Sequence, residues 1–293
     1  MRTARPLIPR WWTREDAEAR CSLCHHACRI PAGKAGRCGA RLFDGERLAS
    51  PWLGRFCSLA VDPIEKKPLY HWRPGSSILS LGSLGCTMRC PFCQNHSIAH
   101  PDEARAPHLS SLSIPALAAK TRELGLDSVA YTYNEPALQA EYIIEAAPVL
   151  RDNGIATVLV SNGMYSEALL ADLIPVVDAA NIDVKSFNAK TYSRLGGSLD
   201  TVRRTVAALL EGGVHIECTT LVVPGVSDDP DEFAREVDWL AALSPDIPLH
   251  LSRYRPAYKY TAPPTDVGLL QRFAAMAKAK LRRVHIGNVP GMR

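Results

Sequence analysis

The stretch ILSLGSLGCTMRCPFCQN (residues 78–95) decides the fold. Its first half is an aliphatic run of strand length. Its second half sets Cys86, Cys90 and Cys93 in a CxxxCxxC pattern immediately beyond the predicted strand end. A strand that delivers a dense set of ligand-type side chains at its carboxyl end is the arrangement of a parallel α/β barrel, where chemistry gathers at that end of the strands.

The rest of the chain extends this pattern. Six more strand candidates follow: SVAYTYNE (128–135), ATVLVSN (156–162), NIDVK (181–185), HIECTTLVVP (215–224), PLHLSRY (248–254) and RRVHIGN (282–288). A helical stretch separates each pair, giving six βα units and a final strand. The segment TVRRTVAALLEGG places Val202, Val206, Leu209 and Leu210 at helical spacing, the buried face of an outer-ring helix. In LQAEYIIEAAPVLRDNG, Pro136 suits the helix start and Gly154 its end, and Pro148 is expected to bend or shorten the helix. PDEARAPHLSSLS (101–113) reads as a mobile loop leaving the first strand. The expected architecture is a partial (β/α)6 TIM-type barrel over residues 78–293.

Residues 1–77 read differently. They hold five of the nine cysteines, and TREDAEAR (13–20) is their one stretch of helical periodicity. They are expected to form a small cysteine-rich, metal-stapled N-terminal module.

With 293 residues the chain can form two domains or one large barrel, and 46% apolar against 22% charged residues excludes disordered and fibrous classes. Its charge, 34 − 30 = +4, is scattered, so nucleic acid is not an expected partner. The start MRTARPLIPRWW lacks the apolar core of a secretory signal, and no stretch approaches the ~20 apolar residues of a membrane span. A cytoplasmic setting without a membrane partner is expected. Clustered cysteines in a reducing compartment point to metal rather than disulfides.

Three thiolates can each take one iron of a [4Fe–4S] cubane and leave the fourth iron open to a substrate or cofactor. The alternative is tetrahedral zinc with His96 or His100 as fourth ligand. In the N-terminal module, Cys21, Cys24, Cys28 and Cys38 form CxxCxxxC followed by a fourth cysteine. They can close a zinc site or hold an auxiliary iron–sulfur cluster serving as electron relay, with His25 and His26 as alternative ligands; reduced, packed thiols are the plain reading. Cys57 and Cys218 are isolated in strand-like runs and carry no assigned chemistry.

The CxxxCxxC triplet, with Phe92 before its last cysteine, resembles the signature of radical S-adenosylmethionine (SAM) enzymes. That resemblance implies a SAM-chelated cluster whose electron splits SAM into methionine and a 5′-deoxyadenosyl radical that abstracts hydrogen. Polar groups at later strand ends are then expected to bind SAM. Tyr133-Asn134-Glu135-Pro136 stands at the family's Gly-Gly-Glu position without its glycines, and leaves Glu135 as the acceptor for the methionine ammonium group, or as a helix-start carboxylate. Ser161 and Asn162, before Gly163, suit the SAM carboxylate or ribose. Asp183 and Lys185 share one face of their strand, facing SAM or each other as an internal ion pair. Thr220 is the fifth strand's candidate. On the sixth, His250, Ser252 and Tyr254 share a face, and His250 is the preferred SAM neighbour, with a hydrogen-bonded core histidine as its alternative. No catalytic residue beyond the cluster and SAM is assigned.

More widely, CSLCHHACRIPAGKAGRCGAR, VDPIEKKPLYHWRPGS, LGCTMRCPFCQN, AYTYNEP, TTLVVPGVSD and HIGNVPG resemble the radical SAM protein of the AmmeMemoRadiSam system, a group similar to pyruvate formate-lyase-activating enzymes. The resemblance implies hydrogen abstraction from a protein or peptide, Memo-like and AMMECR-type proteins as partners, and an electron donor such as flavodoxin or ferredoxin. Activating enzymes often carry extra cluster cysteines after the triplet, whereas here they precede it, so a glycyl-radical partner does not follow. Members commonly continue past GNVPG into a CPxC tail; this chain ends at Gly291-Met292-Arg293, and the tail's role is expected to be absent. Lys66 and Lys67 are expected to help shape the entrance to the site. Two other readings stand beside this one: a radical SAM enzyme acting on a small molecule, and a non-catalytic iron–sulfur or zinc adaptor, which has no need of converging polar strand ends.

Overall fold

A computed structural model describes residues 7–101 and 107–291. The N-terminal region is built from short strands: β1 (Trp12–Glu15), β2 (Glu18–Cys21), β3 (Arg29–Pro31), β4 (Lys34–Ala35), β5 (Leu42–Phe43), β6 (Leu48–Ala49) and β7 (Arg55–Phe56). TREDAEAR is therefore not helical. It makes the β1–β2 hairpin, with Asp16 at φ 51° in the turn and Ala19 and Cys21 buried on alternate positions of β2.

The main sheet contains β8 (Ser58–Pro63), β9 (Ser77–Gly82), β11 (Ser128–Tyr131), β12 (Ala156–Ser161), β13 (Ala179–Asp183), β14 (His215–Val222), β15 (Leu249–Arg253) and β16 (Val284–Gly287), ordered β8-β9-β11-β12-β13-β14-β15-β16. The short β10 (Ser110–Ser111) pairs with β7, so the end of the 101–113 stretch is ordered; residues 102–106, on which the mobility reading partly falls, lie outside the described residues. From β9 to β16 all pairings are parallel, and the helical crossovers make this a partial (β/α)6 TIM-type barrel. The sheet does not close, because β8 and β16 are its two edges.

The β8 strand lies antiparallel along β9 from Ser58↔Gly82 to Pro63↔Ser77. The barrel sheet thus begins within the segment that the sequence assigns to the N-terminal module, and a division at residue 77 cuts a continuous sheet.

The helices are α1 (His96–Ala99), α2 (Ile114–Glu123), α3 (Ala140–Asp152), α4 (Glu167–Leu173), α5 (Ala189–Arg194), α6 (Leu199–Glu211), α7 (Pro230–Leu243) and α8 (Val267–Lys278). Ser113, Ser166, Asn188, Ser198, Asp229 and Asp266 cap six of them by accepting backbone N–H bonds in the first turn, which fixes where each βα loop ends. On α6, Val202, Val206 and Leu209 are buried as the periodicity predicts, whereas Leu210 is only half-buried. Pro148 does not end α3, which continues to Asp152. Among the described residues no helix is long and apolar enough to cross a membrane.

Candidate active site

At the carboxyl end of the strands lies a cavity of about 320 Å³, lined by Cys86, Cys90 and Cys93 together with Glu135, Ser161, Asn162, Asp183 and Lys185. The loop after β9 reaches this place through a narrow turn at Gly85. Its φ is +89°, and a Cβ there would stand 2.7 Å from the Cys38 carbonyl oxygen and 2.8 Å from Leu138, so only glycine fits. Asn134 then holds the turn: its Oδ1 accepts from Ser83 N–H at 3.0 Å and its Nδ2 donates to Gly85 O at 3.0 Å. Asn95 Nδ2 donates to Tyr133 O at 2.8 Å. The β11 end and the cysteine loop are thus one hydrogen-bonded unit.

Glu135 is buried and accepts three bonds, from Ser161 Oγ at 2.8 Å, Asn162 N–H at 3.1 Å and Ala137 N–H at 3.1 Å. Burial nevertheless pushes its carboxyl up to about 7, against the downward pull of those donors. The bond to Ala137 makes it a helix-start acceptor too, so both sequence readings of Glu135 describe its surroundings. Asn162 Nδ2 reaches Thr87 Oγ1 at 3.0 Å and Cys86 Sγ at 3.5 Å, joining the carboxylate cluster to the first thiol. Gly163, at φ +70°, makes the turn expected of it.

Asp183 and Lys185 both line the cavity and also pair, Nζ to Oδ2 at 2.7 Å. Burial alone pulls the Lys185 ammonium down, but Asp183 and the Cys90 and Cys93 thiols outweigh it and hold it well above its ordinary range. A fixed cation beside two thiols favours their thiolate forms. Cys86 is nonetheless raised by burial, and Cys90 is pushed up to about 11 by the same cause, so these thiols ionise readily only with an electrophile beside them.

Two predicted site residues are elsewhere. Thr220 faces outward: its Oγ1 donates to Glu236 on α7, in the helix layer. On β14 it is Thr219 and Leu221 that line the cavity. His250 faces inward but one layer below the cavity, where Nε2 meets Glu217 Oε2 at 2.6 Å. Glu217 also meets His215 at 3.0 Å and accepts the Tyr70 and His71 backbone N–H groups, closing the amino end of the barrel. These donors hold its carboxyl down at about 2, although burial opposes them. Ser252, two residues along β15, lines the cavity in place of His250. Tyr254 turns away to donate to Tyr260 O at 2.7 Å.

Sequence reasoning overlooked Asn181, although it lies two residues before Asp183 on the same strand face. It is buried, accepts from Thr219 Oγ1 at 2.9 Å and donates to Pro68 O at 2.8 Å. Asp62 was likewise overlooked: it bonds Lys66 at 3.1 Å, Lys67 at 2.7 Å and the Tyr133 hydroxyl, and so sets both lysines against the cavity. Burial opposes the ionisation of Asp62, but these three donors hold its carboxyl well below the usual range.

The donor set fits a cubane better than one ion. Among the described residues no group of three or more His, Cys, Asp or Glu side chains is placed to hold a single metal ion. His96 and His100, the proposed fourth zinc ligands, do not line the cavity: His96 Nδ1 faces Cys93 O at 3.2 Å and His100 Nδ1 faces Arg89 at 2.7 Å. In a cubane each thiolate takes a separate iron, so three spaced thiols beside an open, polar cavity suit it.

Comparison with known proteins agrees with this fold. The model of the radical SAM superfamily matches residues 81–237. The uncharacterized protein MJ0808 of Methanocaldococcus jannaschii is 36% identical over 283 residues, covering 94% of this chain and 83% of that protein. The 7-carboxy-7-deazaguanine synthase of the same organism is 30% identical over 111 residues, 34% of this chain and 44% of the enzyme. Among solved structures, Streptococcus suis SuiB bound to S-adenosylmethionine superposes with a TM-score of 0.54 at 13% identity, over 70% of this chain and 48% of SuiB. TYW1 with a lysine-pyruvate adduct bound gives 0.53 at 16% identity, over 86% of this chain and 90% of TYW1.

Proposed function

Since the chain belongs to the radical SAM superfamily, whose members are enzymes using a [4Fe–4S] cluster and SAM, we propose that Cys86, Cys90 and Cys93 hold that cluster and that the enzyme abstracts hydrogen from a protein or peptide substrate. A cluster held there would supply one electron to the SAM sulfonium, giving methionine and a 5′-deoxyadenosyl radical. The observation that carries the reading is the shared cavity: the three thiols, the Glu135–Ser161–Asn162 cluster and the Asp183–Lys185 pair line one space of about 320 Å³.

In this reading Glu135 accepts the methionine ammonium group. Its carboxyl, raised to about 7, ionises fully when that cation arrives. Ser161 and Asn162 take the carboxylate or ribose, Lys185 supplies a fixed positive charge, and Thr219 and Ser252 replace Thr220 and His250 as polar wall. A polypeptide substrate is supported by the edge strand β8, which exposes Leu59 and Val61 at 45% and 50%. We assign the electron donor to the flavodoxin or ferredoxin class, look for the hydrogen donor first among Memo-like and AMMECR-type proteins, and read Cys21, Cys24, Cys28 and Cys38 as a second metal site. A small-molecule substrate is the second reading, favoured by a cavity within the usual small-ligand range and by the partial match to 7-carboxy-7-deazaguanine synthase.

Anaerobic reconstitution with iron and sulfide, followed by SAM and dithionite, tests the assignment by chromatography of 5′-deoxyadenosine and methionine. The intact chain forms both, and Cys86→Ala falls to the reagent background. Undiminished cleavage by Cys86→Ala, or none by an intact chain with assembled cluster and bound SAM, overturns the reading.

A further inference from the structure

We propose that the outer face of the Cys86–Cys93 loop is the docking surface for an acidic one-electron carrier protein, recognised by Arg37, Arg89 and Lys259. The inference rests on the donor class assigned above and deepens it by naming where that donor meets the chain.

Scattered along the sequence, the charge is uneven in space. Residues 22–43, 81–101, 184–199 and 247–265 hold eleven Lys and Arg and no Asp or Glu, although the whole chain has 34 and 30. The fold packs these four stretches around one loop. His26 Nε2 donates to Thr87 O at 2.8 Å, Lys259 N–H to Pro91 O at 2.9 Å and His96 Nδ1 to Cys93 O at 3.2 Å. Each cysteine of the triplet thus has its own carbonyl, or that of the next residue, held by an acid-free segment. From the 184–199 stretch, Leu195 O accepts the Arg89 N–H at 2.8 Å. A Cβ on neighbouring Gly196 would stand 2.8 Å from Arg37 Nη2 and 3.4 Å from Arg89 N, so the strands of this wall touch one another.

Arg37, Arg89 and Lys259 are exposed, and two of them are held in place. Arg89 Nη1 donates to His100 Nδ1 at 2.7 Å and its Nη2 donates to Arg37 O, which fixes a guanidinium in the loop between Cys86 and Cys90. Lys259 Nζ lies 5.0 Å from the centre of the Tyr258 ring, which stacks on His96 with ring centres 4.6 Å apart. None of the three cations is paired with a carboxylate among the described residues.

None of them lines the cavity either. In the reading above SAM and substrate fill that cavity, so the electron needs another entrance, and this face reaches the thiols through the loop's own peptide groups. Fixed positive charges steer a partner of opposite sign and set its orientation, and electron-transfer encounters are made through small interfaces, under about 1,200 Å². In the step itself the reduced carrier loses one electron and a cluster on the triplet gains it; no bond forms or breaks. A nucleic acid is the rival polyanion. Single strands bind by stacking bases on open aromatic rings, and here the exposed Tyr258 ring is already covered by His96.

The test is surface plasmon resonance with the immobilised full chain, reconstituted anaerobically, and an oxidised acidic flavodoxin as probe, at low ionic strength and at high salt. Charge reversal by Arg37→Glu with Lys259→Glu is expected to weaken binding about tenfold or more at low salt, with the difference lost at high salt and the iron content unchanged. Lys278→Glu with Arg283→Glu, beside the amino end of β16, is expected to bind as the unsubstituted chain does. No binding by the unsubstituted chain at low salt, full binding by the Arg37 and Lys259 variant with native circular dichroism, or an equal loss in the distant control overturns the proposal. If the charge-reversed pair fails to fold, Arg37→Gln with Lys259→Gln decides: a smaller loss in the same direction supports the docking surface, and none overturns it. Transfer RNA that binds more tightly than flavodoxin at the same salt, and is lost in the same variant, assigns the face to nucleic acid and also overturns it. The Cys86→Ala chain should bind flavodoxin as the unsubstituted chain does, so failed SAM cleavage and failed docking are separate results.

Discussion

Glu236 is buried on α7 with Thr220 Oγ1 as its donor, and burial pushes its carboxyl up to about 8 despite that bond. A folded value above the unfolded carboxyl value means that its contribution to stability is fully present below about pH 4.5 and is lost as pH rises through 8. Glu135 acts in the same direction with its value near 7. The histidines act oppositely: His25 and His285 are held near 4, so their contribution is lost as pH falls from 6.5 through 4. Between pH 6.5 and 8 each such histidine still adds about 0.4 kcal/mol as the unfolded chain loses its remaining imidazolium protons, so only comparison with a Glu236 variant isolates the carboxyl. Glu236 alone then costs about 2 kcal/mol over that interval, a Tm decrease of roughly 5 °C. Thermal melts of Glu236→Gln at the two pH values should show most of this decrease gone. A variant with the parent's slope would show that Glu236 is already ionised in the folded chain.

At the level of elements, all seven parallel strands were legible because each is a short aliphatic run followed by a cap or turn residue. Faces were less legible. The order of β14, HIECTTLV, puts adjacent threonines on opposite sides, and only Glu217, committed to His215 and His250 on the inner face, fixes the phase that sends Thr219 inward and Thr220 outward. Depth was illegible for His250, since alternation gives the side of a strand and not the layer. β8 escaped notice because it pairs antiparallel at an edge and has no following helix to mark it as part of a βα unit. Pro148, expected to bend or shorten α3, does not shorten it. Its ring is exposed on α3, where the helix runs on without the N–H it lacks. Replacing it should strengthen the helix without disturbing buried neighbours: Pro148→Ala is expected to raise stability by about 1–2 kcal/mol, the helical gain reduced by the freedom returned to the unfolded chain. Urea unfolding measures it, and an unchanged or lower midpoint would show that the helix is already bent to suit the ring.

Across the whole molecule, the cysteine module and the barrel are locked by a pair that no sequence pattern announces. Arg41, three residues after Cys38, meets Glu141 in the first turn of α3 through two bonds of 2.8 and 2.9 Å, and both side chains are 1% exposed. The same carboxylate accepts the Arg10 backbone N–H at 2.7 Å, so one buried charge ties two N-terminal segments to the helix that follows Glu135. The partners are 100 residues apart, beyond any periodicity or local motif. Their attraction must offset the desolvation of both charges, so the pair adds little net stability over apolar residues of similar size, while removal of one partner strands the other. Glu141→Ala is therefore expected to cost about 3–5 kcal/mol and to loosen the module, exposing residues before β8 to limited proteolysis. The double change Arg41→Met with Glu141→Leu should recover most of that loss, because it removes both charges and keeps the volume. If Glu141→Ala costs under about 1 kcal/mol, or if the double variant is as unstable as the single one, charge pairing is not what joins the two parts, and the surrounding apolar contacts must be.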